Sequence, residues 1–298
     1  MRSSRLIILE AAAIIALMQG TTAFSQIQHF SSGSLRRSRP VMSQSNDENE
    51  RDKKIVFIRH GCTHMNEYLA SNPWGSPGFT DIFENDELFR DSPLSRLGVK
   101  QAQALSSRLT DSSCPEYGKL LGELELIVTS PLIRAIQTLE IGLLPHIVTN
   151  NESDQSEIPI MAVPLAAERL YLISDVGKRR QELHAQFGHV IDFYHDGFHH
   201  EEWWFQPNGS DAYIEWRPRS SNQRYACPGE PDQEFATRMI KLFQLLDERP
   251  ESTIAVVSHW GVIDWFLDAD FDNCEMRAVS IRDIATKVKQ YTKAGADA

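Results

Sequence analysis

The chain is short of three things whose presence would narrow its function at once. Cysteine is scarce: only Cys62, Cys114, Cys227 and Cys274 occur among 298 residues. No two of them stand in a Cys-x-x-Cys pair, so neither a zinc site nor a dithiol motif is indicated, and free thiols in a reducing compartment are expected. Basic residues are outnumbered, 30 Lys and Arg against 41 Asp and Glu, giving a formal net charge of -11. That balance argues against general affinity for nucleic acid or anionic membranes. No internal repeat is visible, which sets aside solenoids and arrays. What the sequence does have is a hydrophobic fraction of 41%, ample for one sizeable α/β core.

The first 48 residues read as a targeting segment rather than as fold. Arg2 and Arg5 precede an apolar stretch from Leu6 to Met18, broken only by Glu10, and small residues follow at Gly20-Thr21-Thr22-Ala23. This is signal-peptide layout, too short for a comfortable membrane span. Residues 24–46, with serines, Arg36, Arg37 and Arg39 and without one acidic residue, then give transit-peptide composition. The Ala23-Phe24 junction resembles the cleavage motif of two-part plastid targeting sequences in algae with secondary plastids. The expectation is therefore plastid import, with secretion or endomembrane residence as the alternative and no membrane attachment in the mature form.

Two apolar runs, Ile55-Val56-Phe57-Ile58 and Ile254-Ala255-Val256-Val257, read as strands buried on both faces of a parallel sheet. Each leads directly into a histidine, His60 after Arg59 and His259 before Trp260-Gly261. Ligands of open α/β sheets sit beyond the carboxyl ends of strands, so two histidines at matching strand ends are placed for chemistry.

The rest of residues 49–298 reads as one domain. A helix is expected over about 63–70, then an irregular excursion over 71–91. Ser95 caps a helix through about Leu109, with Leu97, Ala104, Leu105 and Leu109 as its apolar face. A strand over Leu124–Val128 turns through Thr129-Ser130-Pro131 into a helix carrying Arg134, with the proline at a first-turn position. A further strand, Ile160–Val163, ends just before Glu168. Residues 172–230 break the alternation and read as a helical insertion over the site. Helices over 232–246, 260–267 and 281–293 complete the chain. The fold class expected is α/β, a three-layer α/β/α sandwich with a mostly parallel central sheet.

Arg59-His60-Gly61-Cys62-Thr63-His64-Met65-Asn66 resembles the R-H-G-x-[ST]-x-x-N signature of the histidine phosphatase superfamily, the phosphoglycerate mutase-like proteins. Further matches follow in that family's order: Ser92-Pro93-Leu94-Ser95-Arg96-Leu97-Gly98 with Gln101-Ala102, then Thr129 to Ala135, Glu168, and Ser258-His259-Trp260-Gly261. The resemblance covers roughly residues 53–275.

The resemblance implies phosphoryl transfer through a phosphohistidine on His60. Arg59, Arg134 and His259 would hold the phosphoryl group, with Thr63 and Asn66 adding polar contacts. Arginine forks match phosphate oxygens in pairs, and an acidic protein must build such a site locally. The proton for the leaving oxygen is assigned to Glu168, because Trp260 stands where one branch of the family carries an aspartate. Asp264 is a weaker choice. This chemistry requires neither metal nor cofactor.

Hydrolysis of a phosphomonoester is the reading preferred, on a small metabolite or a phosphoprotein. A mutase is the alternative, since Glu168-Arg169-Leu170-Tyr171 opens as the mutase clamp does but the glycine pattern beyond it is missing. A silent binding or regulatory protein on the same fold is the second alternative. Oligomeric state is left open.

Overall fold

The first described strand, β1 (Lys54–Arg59), is buried along its middle on both faces, as its unbroken apolar run requires. In this computed structural model residues 53–72, 89–147, 158–205 and 230–296 are described. The expected targeting segment, residues 1–48, lies outside them, as do most of the 71–91 excursion, residues 148–157 and the end of the insertion. The other strands are β2 (Leu126–Thr129), β3 (Ile160–Ala162), β4 (Thr253–Ser258) and β5 (Met276–Ser280). They form one sheet in the order β3-β2-β4-β1-β5. The pairs β1·β4, β2·β4 and β2·β3 are parallel, while β5 runs antiparallel on the β1 edge.

Helices cover both faces. They are α1 (His64–Ser71), α2 (Arg96–Thr110), α3 (Pro115–Gly122), α4 (Ile133–Gly142), α5 (Leu144–Ile147), α6 (Arg180–Phe187), α7 (Asp232–Glu248), α8 (Trp260–Leu267) and α9 (Ile281–Ala296). Strand residues alternate between the two cores, as period-2 geometry demands. Val56, Ile58, Ile127, Ala255 and Val257 face α2 and α4. Ile55, Phe57, Val128, Ile254 and Val256 face α7, α8 and α9. The architecture is the three-layer α/β/α sandwich with a mostly parallel sheet.

Four local readings change. The buried face of α2 is Gly98, Ala102, Leu105 and Leu109, whereas Leu97 and Ala104 are exposed. The helix packs close beneath the loop after β1, where only small residues fit, so side-chain size misdirects the choice of face. Pro131 lies outside α4, whose first residue is Ile133. Neither α3 nor β5 was anticipated: two glycines obscure the helix, and Met276-Arg277-Ala278-Val279-Ser280 has no apolar run.

The insertion is not mainly helical among the described residues, which hold a short 3-10 turn (Ile173–Asp175) and α6. Nor is it only a cover. Leu183, Phe187, Ile191, Phe193 and Phe198 join the core beside α4, and Trp203 packs onto Gly177, where any Cβ would meet its ring at 2.2 Å. Lys178 is exposed, while Arg179 and Arg180 pair with Glu202 and Glu201.

Candidate active site

Adjacent parallel strands β1 and β4 end in register, Arg59 opposite Ser258, so the two loops that follow deliver His60 and His259 to the same place. Their rings lie 5.0 Å apart between centroids, inclined at 58°. His60 is 5% exposed and His259 fully buried. His60 Nδ1 is 2.7 Å from the Gly61 carbonyl oxygen. A carbonyl only accepts, so Nδ1 carries the proton and Nε2 keeps its lone pair. Burial, and then the charges of Arg134 and Arg59, hold the His60 imidazole well below its usual protonation range. The ring is neutral, with the lone pair of its Nε2 fixed by geometry.

His259 has the opposite tautomer. Arg134 Nε donates to its Nδ1 at 3.2 Å, so Nε2 bears the proton, donated to Ser130 Oγ at 2.7 Å. Burial, with Arg134 next, also keeps this ring neutral. Arg134 itself is nearly enclosed at 4% exposure. Its other bonds run from Nη1 to Ser174 O at 2.6 Å and from Nη2 to Asp175 Oδ1 at 2.9 Å. A guanidinium has five N–H donors; three are engaged here, leaving two for a phosphoryl oxygen. Arg59 Nη1 donates to Phe271 O at 2.5 Å, while its buried Nε has no partner among the described residues, a donor suited to an anion.

Glu168 follows β3 through a 3-10 turn (Pro164–Ala166). Its carboxylate accepts from the backbone N–H of Arg169 at 2.9 Å and of Gly261 at 3.2 Å. The Arg169 side chain does not pair with it: that guanidinium donates to Glu230 O at 2.8 Å, pairs with Asp232 and lies 4.6 Å from the Tyr171 ring centroid. Burial and the neighbouring Asp175 push the Glu168 pKa above the usual glutamate range, against Arg134 and the two N–H donors. The group is poised to hold a proton beside two neutral imidazoles. Asp264 is half-buried within α8.

Arg-His-Gly, Arg134, Glu168 and the second histidine are thus gathered at the strand ends. Residues 55–152 are similar to the histidine phosphatase superfamily (branch 1). A curated relative from Schizosaccharomyces pombe, named as a probable phosphatase, is 29% identical over 136 residues, 46% of this chain and 50% of that one. The chain thus spans half the length of that relative. Among solved structures it is similar to the α-ribazole phosphatase of Shigella flexneri (20% identity, TM-score 0.42), covering 76% of this chain and 90% of that one. It is similar too to the ecdysone phosphate phosphatase of Bombyx mori in complex with tungstate (15% identity, TM-score 0.42), covering 76% and 88%.

Thr63 and Asn66 have a job within the loop. Thr63 Oγ1 accepts from Asn66 N at 3.0 Å, and Asn66 Oδ1 accepts from Thr63 N at 3.1 Å. This capping box starts α1 and fixes the loop's exit. Close packing holds the loop from beneath: Gly61 N donates to Thr138 Oγ1 at 3.0 Å and Cys62 N to Gln101 Oε1 at 2.8 Å. A Cβ on Gly98 would lie 2.0 Å from Cys62 O, which explains the glycine of Ser95-Arg96-Leu97-Gly98. Cys62 is buried here, and burial raises its thiol pKa, the setting of an inert cysteine.

Sequence reasoning missed four residues that shape the site. Asp91 is buried, its Oδ1 accepting from Ile133 N at 2.8 Å and its Oδ2 from Lys178 N at 3.1 Å; it caps α4 from a distance. Ser130 receives the His259 proton. Asp175 holds Arg134. Arg238 donates to Leu165 O, Ala167 O and Glu168 O at 2.8, 2.8 and 3.3 Å and clasps Glu230 with two bonds. A helix-borne arginine pinning a loop carries no short-range signature. The only available signal was Arg238 among the apolar stripe of α7.

Proposed function

We propose that the protein is a phosphomonoester hydrolase acting through a phosphohistidine on His60, with Glu168 as general acid and then base. The observation that carries this reading is the His60 ring itself: buried, neutral, its Nδ1 proton bound to Gly61 O, and its Nε2 lone pair unspent. In the first step Nε2 attacks phosphorus and the bond to the leaving oxygen breaks. The proton on Glu168 passes to that oxygen, giving an alcohol. In the second, the Glu168 carboxylate takes a proton from water, whose oxygen attacks the phosphohistidine. The N–P bond breaks, inorganic phosphate leaves, and Glu168 is protonated again. Arg59 and Arg134 offset the charge on the phosphoryl oxygens throughout, the main contribution a protein makes to such a transfer.

Hydrolysis is favoured over mutase chemistry because Arg169, which a mutase-like clamp would turn on its substrate, is spent on Glu230, Asp232 and Tyr171. The relative's description as a phosphatase points the same way. The substrate is a phosphorylated small molecule or a phosphoprotein. The test is phosphate release by residues 49–298, with chelator present, from phosphorylated sugars, glycerates, nucleotides and peptides. Release that disappears in His60→Ala, together with an acid-labile phosphoenzyme in the parent, supports the reading. No release from any compound overturns it.

A further inference from the structure

Arg134 is tied at every edge of its fork, and one of those ties is a second buried charge. Asp175 Oδ1 takes its Nη2 at 2.9 Å, with the two side chains 5% and 6% exposed. The other oxygen, Oδ2, accepts from Tyr171 N at 3.1 Å and Leu172 N at 2.9 Å. One carboxylate therefore joins the chain leaving Glu168 to the arginine that meets His259. We propose that Asp175 is a positioning residue for the reaction at His60: through its ion pair it fixes the Arg134 fork so that Nε meets His259, and it offsets the arginine's charge at Glu168. The inference rests on the phosphatase reading above.

Two consequences follow from the geometry. Nε of Arg134 can donate to His259 Nδ1 only while the guanidinium plane is held, and that bond selects the Nε2–H tautomer of His259. Loss of Asp175 leaves the fork held at Nη1 alone, by the Ser174 carbonyl, and so loosens its plane and the tautomer that depends on it. The second consequence is electrostatic. Glu168 stands among Asp175, Arg134, Arg59 and Tyr171, with His60 and His259 neutral beside them. Asp175 favours the protonated carboxyl and Arg134 the ionised one. Without Asp175 the arginine acts unopposed, and Glu168 loses its proton at lower pH.

The test compares the parent with Asp175→Asn, Asp175→Glu and Glu168→Gln by kcat/KM against pH, and by histidine ring nitrogen resonances that need no substrate. In Asp175→Asn the basic limb should move down by about one pH unit and kcat fall about tenfold, with His259 no longer in a single tautomer. Asp175→Glu, keeping the charge, should retain most of the limb position. Should Asp175→Asn not fold, Asp175→Ser serves the same comparison. An active parent whose limb is lost in Glu168→Gln, but unmoved along with the His259 tautomer in Asp175→Asn, overturns the positioning role. A parent inactive on every substrate overturns the phosphatase reading instead, while the nitrogen resonances still decide whether Asp175 governs His259.

Discussion

Gly261 and Glu168 occupy each other's space: a Cβ on the glycine would lie 2.4 Å from Glu168 Oε1, while the glycine's own N–H donates to Oε2 at 3.2 Å. The first turn of α8 is thus both the support of the Glu168 carboxyl and the limit on its position. The atom that would have to yield is the far end of a flexible side chain, not backbone. Gly261→Ala is therefore expected to fold with nearly unchanged stability but to displace the carboxyl. A displaced general acid costs on the order of 100-fold in kcat. Urea melts and steady-state rates on the same preparations check this; equal losses in an alternative substrate with an acidic leaving group would argue against it, because such a group needs no proton.

Arg238 and Glu230 form a pair whose halves are not interchangeable with nothing. Glu230 is 3% exposed, and both its oxygens accept from Arg238. Arg238→Met strands a buried carboxylate and releases the carbonyls of Leu165, Ala167 and Glu168, with an expected loss of about 3 kcal/mol. The double variant Arg238→Met with Glu230→Leu removes the stranded charge and should recover most of that stability. It should not recover activity, since the Glu168 loop stays unpinned. Chemical denaturation of the three proteins, read beside their rates, separates the two effects.

Much of this site was legible because its chemistry sits where strands end. The runs Ile55–Ile58 and Ile254–Val257 announce buried parallel strands, and the polar residues after them can only be loop. His60, Arg134, Glu168 and His259 all follow strands, and the structure brings them close together. The supporting residues were not legible, for a physical reason. The bonds by which Asp91, Asp175 and Arg238 reach the site, to Ile133, Arg134 and Leu165, span 41 or more residues, and no local pattern announces such a distant partner. Thr63 and Asn66 show the reverse. Their spacing is a capping box, a local device, and that is the bond they make. The misread face of α2 has its own cause: Gly98 and Ala102 are buried for their smallness, a property that a search for large apolar residues discards.

Asp91 supplies a pH dependence of stability separate from the chemistry. Burial pushes its pKa up to about 6, against the opposing pull of the Ile133 and Lys178 N–H groups and Arg134. The unfolded value is about 3.9. Between these two values the folded protein binds the proton that the unfolded chain has released, so stability falls as pH rises through the window. Below about 4 the effect is absent, and above about 6 the full cost of a buried carboxylate remains, on the order of 3 kcal/mol. Asp91→Asn keeps an acceptor for Ile133 N and suits the left-handed backbone at φ 46, so it should fold. Stability of the parent relative to this variant should decline from pH 4 to pH 7, with most of the change between 4 and 6. Other carboxylates cancel in that difference. A difference independent of pH in urea melts would mean that Asp91 titrates in the fold as it does in water, and that the two N–H donors fully offset its burial.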